Sequence, residues 1–204
     1  GNRADKYNGY TVVVAGNSAK LTLIKGIING QSKALSGKST TAYGVLVQQG
    51  TFDMLGGTIY AGNYGGVSIS YGGTFNLKNG TIIEDLSSSY GAVCVDSDSG
   101  SSTFNMFGGK IEASHYAIYL RDQCKTDEYI CSLNITGGEI ELNANEYSTY
   151  IIYGNSCAKV NAKDFSVSFD GQYKNNVKVL YGTENVVLTN VTINGQPYDE
   201  YPAA

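Results

Sequence analysis

One nine-residue pattern recurs along this chain: x, apolar, x, apolar, x, x, Gly, x, Ile. Its clear copies are TFDMLGGTI from Thr51, TFNLKNGTI from Thr74, TFNMFGGKI from Thr103 and SLNITGGEI from Ser132. Weaker copies begin at Lys20, Lys159 and Asn185, and successive copies start 23–31 residues apart. Self-similarity at this period marks a repeat architecture, because each unit can bury its apolar side only against the next.

A second pattern lies between the copies: small residue, apolar, x, apolar. It reads Gly44–Val47, Gly66–Ile69, Ala92–Val95, Ala117–Leu120, Tyr150–Tyr153 and Asn176–Val179. Each period therefore holds three short alternating segments separated by turn residues. No stretch shows a helical period. The 26 glycines and 17 tyrosines suit strands and tight turns. At 42% hydrophobic and 16% charged the chain can bury a core.

The expectation is an all-β solenoid of about seven coils of 23–31 residues, forming one domain over 1–204. Residues 1–19 would cap one end, 20–195 would form the coils, and 196–204 would be a C-terminal tail. Like positions should stack as internal columns: Phe52, Phe75, Phe104 and Leu133; Met54, Leu77, Met106 and Ile135; Ile59, Ile82, Ile111 and Ile140; Val67, Val93, Ile118 and Ile151. The Gly56-Gly57, Asn79-Gly80, Gly108-Gly109 and Gly137-Gly138 pairs should share one corner with positive φ. Six gaps of about 4.8 Å make the rod roughly 29 Å long.

These motifs resemble the right-handed single-stranded parallel β-helix, the pectin-lyase-like fold. They look like the Thr-Phe-Asn-Met-x-Gly-Gly-x-Ile repeats of large bacterial cell-surface and adhesin-like proteins, over about residues 20–195. The resemblance implies a secreted or cell-surface bacterial location and membership of a longer surface protein. It also implies adhesion or binding of a polysaccharide or host cell-surface glycan. The same fold houses polysaccharide lyases and glycosidases. An enzyme on acidic glycans would use Arg121 as base, with Asp96, Asp98 and Asp122 as calcium ligands. A structural stalk of a larger surface protein is a third reading, since one fold hosts many functions.

Outward positions carry what function there is. Thr51, Thr74, Thr103 and Ser132 form one column, beside Asp53, Asn76, Asn105, Asn134 and Asn161. Side-chain hydrogen bonding between coils explains these without a ligand. On the isoleucine face Glu112 stacks over Glu141, near Glu84, and beside them Lys110 over Glu139 makes a surface ion pair of small worth. Two adjacent carboxylates are unfavourable unless water screens them or a cation bridges them, and calcium is the natural cation. Asp96 and Asp98 in the run DSDSG have the same calcium-loop character, though a simple turn accounts for them. The metal candidates are thus Asp96, Asp98, Glu112 and Glu141.

Tyrosines crowd the remaining face. Tyr43, Tyr64, Tyr90 and Tyr116 precede its strands, with Tyr71, Tyr119, Tyr150 and Tyr153 close by. They can stack to stiffen the rod, or offer ring faces and hydroxyls to sugars. The ligand-binding candidates are Tyr64, Tyr90, Tyr116, Tyr119, Arg121 and Asp122.

The net charge is −4, and Arg3 and Arg121 are the only arginines, which argues against nucleic acid as a partner. No apolar run is long enough to span a membrane as a helix. His115 is the single histidine, with no partner evident in the sequence for general-base work. No residues are assigned as catalytic, and the reading leans away from an enzyme. Of Cys94, Cys124, Cys131 and Cys157, a Cys124–Cys131 or a Cys124–Cys157 bridge fits the coil spacing, and the sequence does not choose.

Overall fold

The computed structural model describes residues 9–31, 41–85, 88, 90–121, 128–144, 149–154, 158–183 and 185–198. Three faces of parallel strands wind around one apolar core. The first face is a seven-stranded sheet of Gly9–Ala15, Thr41–Gln48, Gly65–Ser70, Val93–Val95, Tyr116–Leu120, Tyr150–Tyr153 and Lys178–Tyr181. The second face starts with Lys20–Leu23, Thr51–Met54, Thr74–Leu77, Thr103–Met106 and Ser132–Ile135. The third starts with Ile27–Asn29, Thr58–Tyr60, Thr81–Glu84, Lys110–Ala113 and Glu139–Asn143. Helical structure among the described residues is a single short 3-10 turn, Lys174–Asn176.

The register follows the repeat. Phe52, Phe75, Phe104 and Leu133 pair in sequence across four coils. Each is fully buried. The Phe52–Phe75 and Phe75–Phe104 rings stack at 5.0 and 5.2 Å, tilted by 13° and 6°. Met54, Leu77, Met106 and Ile135 form the second column, and Ile59, Ile82, Ile111 and Ile140 the third. Burying each such side chain is worth about 1.5–3 kcal/mol. The stack therefore supplies what no single coil has alone.

The corner between the second and third faces explains the glycine pairs. Gly80 has φ +100°, and a Cβ there would stand 2.6 Å from Met54 Cε and 2.7 Å from the Gly57 carbonyl oxygen. Both backbone conformation and lack of space demand glycine.

Three expectations need adjustment. Five coils, not seven, keep three separate strands. In the last two the second and third strands merge into Lys159–Asp170 and Asn185–Ile193. No glycine pair stands at this corner. The chain bends instead at Asp164 and Asn190, with φ 54° and 52°, and Asn190 Nδ2 donates to Asp164 Oδ1 at 2.7 Å. Second, the fourth column continues from Val67, Val93 and Ile118 to Ile152, not Ile151, and then to Leu180. The outward tyrosines hold this register, since Tyr119, Tyr153 and Tyr181 pair in line. Third, within the segment read as an N-terminal cap, Gly9–Ala15 is itself a rung paired with Thr41–Gln48. At the other end Gln196–Tyr198 folds back antiparallel on Val191–Ile193. That return covers part of an otherwise open strand edge.

Candidate functional site

The first face carries a continuous array of tyrosines. Tyr10 stacks on Tyr43 at 6.1 Å with 5° between ring planes, and Tyr43 reaches Tyr90 at 6.4 Å. Tyr90 meets Tyr119 edge-on at 5.5 Å. Tyr119 stacks on Tyr153 at 4.9 Å and Tyr153 on Tyr181 at 5.1 Å. Tyr116 and Tyr150 form a flanking rail, 5.8 Å apart and each within 5.5 Å of a ring of the main line. Pairs of this kind contribute about 0.5–1.5 kcal/mol beyond their buried area. Their alignment follows from strand register, because Tyr10↔Tyr43, Tyr116↔Tyr150 and Tyr153↔Tyr181 are direct cross-strand partners.

Stacking has a chemical consequence. Rings that lie face to face along the rod spend their faces on one another. Tyr64 is different. It is 38% exposed and tilted by 47° and 58° to Tyr43 and Tyr90. Tyr181 is also exposed, at the end of the line.

Four of the predicted ligand residues, Tyr64, Tyr90, Tyr116 and Tyr119, form one contiguous patch, with Tyr64–Tyr90, Tyr90–Tyr119 and Tyr116–Tyr119 at 5.8, 5.5 and 5.5 Å. Arg121 joins it, with its guanidinium carbon 5.2 Å from the Tyr90 ring centre. Arg121 Nη1 also donates to Asp96 Oδ2 at 3.0 Å, so the expected neighbours do meet. Asp122 lies outside the described residues.

Asp96 is buried, and burial pushes its carboxyl up, with the Asp98 carboxylate adding to the effect and Arg121 opposing it. Its Oδ1 accepts the Asp98 backbone N–H at 3.1 Å, the geometry of a local turn. The two carboxyl oxygens thus serve a turn and an ion pair.

Beneath the tyrosines lies Cys94, 1% exposed although its strand position points outward. Tyr43, Tyr90 and Tyr119 cover it. Tyr43 reaches this place because Gly65 leaves room, since a Cβ there would come within 3.0 Å of the Tyr43 ring. Burial pushes the Cys94 thiol up to about 12, and burial likewise raises the Tyr43 hydroxyl, which is hydrogen-bonded to the thiol.

On the third face Glu112 and Glu141 do come together, and the positive charge between them is Lys110. Its Nζ sits 2.9 Å from Glu112 Oε1 and 2.6 Å from Glu141 Oε2. These contacts hold the Lys110 ammonium above its ordinary range. Glu84 is buried and accepts the backbone N–H of Ser88 and both the N–H and hydroxyl of Ser114. With Asp85, Glu112 and Glu141 it borders a shallow depression of about 230 Å³. His115 packs on Tyr116, and its Nδ1 lies 3.4 Å from the Ser88 carbonyl oxygen. Among the described residues no three His, Cys, Asp or Glu side chains are grouped to hold a metal ion.

The second face shows the inter-coil amide bonding expected of its Asn column. Asn134, Asn105 and Asn76 each donate Nδ2 to the preceding coil, at 2.9, 2.8 and 2.7 Å, and the line ends on Asp53 Oδ1. Cys131 is buried, its Sγ 3.4 Å from the Val95 carbonyl oxygen. Both proposed disulfides involve Cys124, which lies outside the described residues.

Sequence reasoning missed Tyr10 and Tyr181 as members of the array. The Asn176–Val179 pattern centres the last rung on Val177, whereas the structure puts Leu180 in the column and Tyr181 outward beside it. Tyr10 lies in the segment expected to cap the rod, and there it pairs directly with Tyr43. The outward spacing Tyr119, Tyr153, Tyr181 contained the signal. Comparison of the chain with protein families, curated proteins and solved structures gives no match.

Proposed function

We propose that this chain is a non-catalytic β-helix module of a secreted or cell-surface protein, and that its tyrosine face binds a polysaccharide or cell-surface glycan in adhesion. The observation that carries the reading is the contiguous patch of Tyr64, Tyr90, Tyr116, Tyr119 and Arg121. Tyr64 offers the tilted, exposed ring on which pyranose C–H groups can pack. The stacked rings offer a row of hydroxyl edges for hydrogen bonds. Arg121 is engaged with Asp96 and Tyr90, an arrangement that favours a fixed binding surface over a proton-transfer base.

The test is a glycan-array screen of the purified chain, with calcium and then with EDTA. Binding to one sugar class that is lost in Tyr64→Ala and Tyr116→Ala, both still folded, supports the reading. Binding that depends on calcium but not on these tyrosines moves the site to the acidic columns. Absence of binding in both buffers overturns the proposal in favour of a stalk or a protein-binding rod.

A further inference from the structure

The tyrosine line and the buried thiol beneath it invite a second question, independent of glycan binding. From Tyr181 through Tyr153, Tyr119, Tyr90 and Tyr43 to Tyr10, consecutive ring centres are 4.9–6.4 Å apart. Phenols are among the most easily oxidised groups in a protein, and rings this close exchange an electron readily. Cys94 sits where the line crosses the fourth rung, as the direct cross-strand partner of Tyr119. Tyr43 covers it from the other side.

We propose that the tyrosine line is a relay for one-electron oxidation, gathering oxidising equivalents along the exposed face and delivering them to Cys94. The oxidant class is a peroxyl radical. It takes a hydrogen atom from an exposed rung such as Tyr181, giving a hydroperoxide and a tyrosyl radical. Each neighbouring ring then passes an electron to the oxidised one. The donor phenol releases its proton to water, and the reduced phenoxyl regains one. From Tyr119 the line runs through Tyr90 to Tyr43, and there the Cys94 S–H, hydrogen-bonded to the Tyr43 hydroxyl, supplies a hydrogen atom, restoring the phenol and leaving a thiyl radical. Dissolved dioxygen adds to that sulfur and commits it to the irreversible steps of thiol oxidation.

Burial sharpens the selectivity. Two-electron oxidants attack the thiolate, and a thiol buried and held protonated presents almost none. Cys94 is therefore shielded from peroxide itself, while a hydrogen atom still leaves readily to a ring in contact with it. Tyr119 is the narrow point. Tyr181 reaches Tyr119 by two routes, directly through Tyr153 or by Tyr150 and Tyr116. Both routes meet at Tyr119 before they reach Cys94.

The experiment places a ruthenium–polypyridyl photo-oxidant at the far end, coordinated to a histidine introduced as Lys178→His in a His115→Asn background. Lys178 Nζ lies 5.9 Å from the Tyr181 ring centre, so the oxidant is seated beside the first rung. After flash oxidation in air, peptide mass spectrometry reads oxygen added at Cys94. The expected result is oxidation of Cys94 in the parent and in Tyr60→Phe, which lies on another face, and its loss in Tyr119→Phe. Phenylalanine keeps the stack and the fold while removing the oxidisable hydroxyl. Tyr153→Phe should retain oxidation, because the flanking rail remains. Cys94 left unmodified in the parent, or oxidised equally in Tyr119→Phe, overturns the relay.

Discussion

The amide line on the second face makes Asp53 its terminal acceptor, and Asp53→Asn tests what that charge contributes. Every amide in the line donates toward the first coil, so the bonds polarise one another in one direction. Asn76 Nδ2 meets the Asp53 carboxylate at 2.7 Å, Lys20 Nζ approaches its other oxygen at 3.0 Å, and Lys78 Nζ stands 3.9 Å from Oδ1. The Asn76 hydrogen bond is the main influence that holds the Asp53 carboxyl below its ordinary 3.8, burial opposing it. Asparagine keeps an acceptor oxygen and loses the charge. A charge-assisted bond is worth about 1.5–3 kcal/mol against about 1 kcal/mol for a neutral one. The Lys20 side chain is 62% exposed, so its pair adds at most about 1 kcal/mol and is screened by salt. Together these give a loss of about 1–2 kcal/mol at pH 7. The sign with pH follows from the depressed carboxyl. Its stabilisation is fully present above 3.8 and disappears as pH falls through the lower, folded-state value. Urea unfolding of both proteins at pH 7 and again in strong acid measures the difference. The curves should separate at pH 7 and converge in acid. An equal gap at both pH values, or a variant as stable as the parent at pH 7, refutes the reasoning.

The phenylalanine column should respond to position. Phe75→Leu removes two ring stacks and Phe104→Leu one, so denaturant melts should show the former losing about 0.5–1.5 kcal/mol more. The corner glycines separate strain from crowding. Gly80→Ala should cost more than the roughly 1–2 kcal/mol of a left-handed residue, whereas Gly195→Ala, with φ +77° and open space around its Cβ, should cost only that much. Thermal unfolding of the two variants ranks them. Lys110→Gln leaves Glu112 and Glu141 without the ammonium between them, lowering stability by about 1 kcal/mol. Millimolar calcium should then raise the melting temperature of Lys110→Gln more than that of the parent.

The core was legible because a solenoid repeats its constraints. Phe52, Phe75 and Phe104 occupy one motif position, and stacking converts that identity into contact. The glycine corner was legible for the same reason, since close approach recurs at Gly57, Gly80, Gly109 and Gly138. The outward face was less so. Cys94 occupies an outward position by alternation, yet Tyr43 lies across Gly65 and buries it, a reach that no single-strand pattern encodes. Lys110 was expected to pair with Glu139, its direct partner, but a four-carbon stem let it lean toward Glu112 and Glu141 instead. The last coils drifted for a local reason. Without a glycine pair, Asp164 and Asn190 turn the corner inside a continuous strand, and the motif loses its punctuation.

The same tyrosines serve stability and the proposed recognition, and the geometry limits how both can hold. A ring stacked on both sides gives its faces to its neighbours and meets a ligand only at its edge. Such contacts are weak singly and repeat once per coil, so binding along the rod gains from the number of coils engaged. Loss of one hydroxyl from a central rung should therefore weaken a long ligand only modestly. A ring with an open face, such as Tyr64, has no equivalent neighbour to replace it. The proposed recognition on this face thus divides into a repetitive part, which would set the reach of the ligand, and a singular part at Tyr64 and Arg121, which would set its identity.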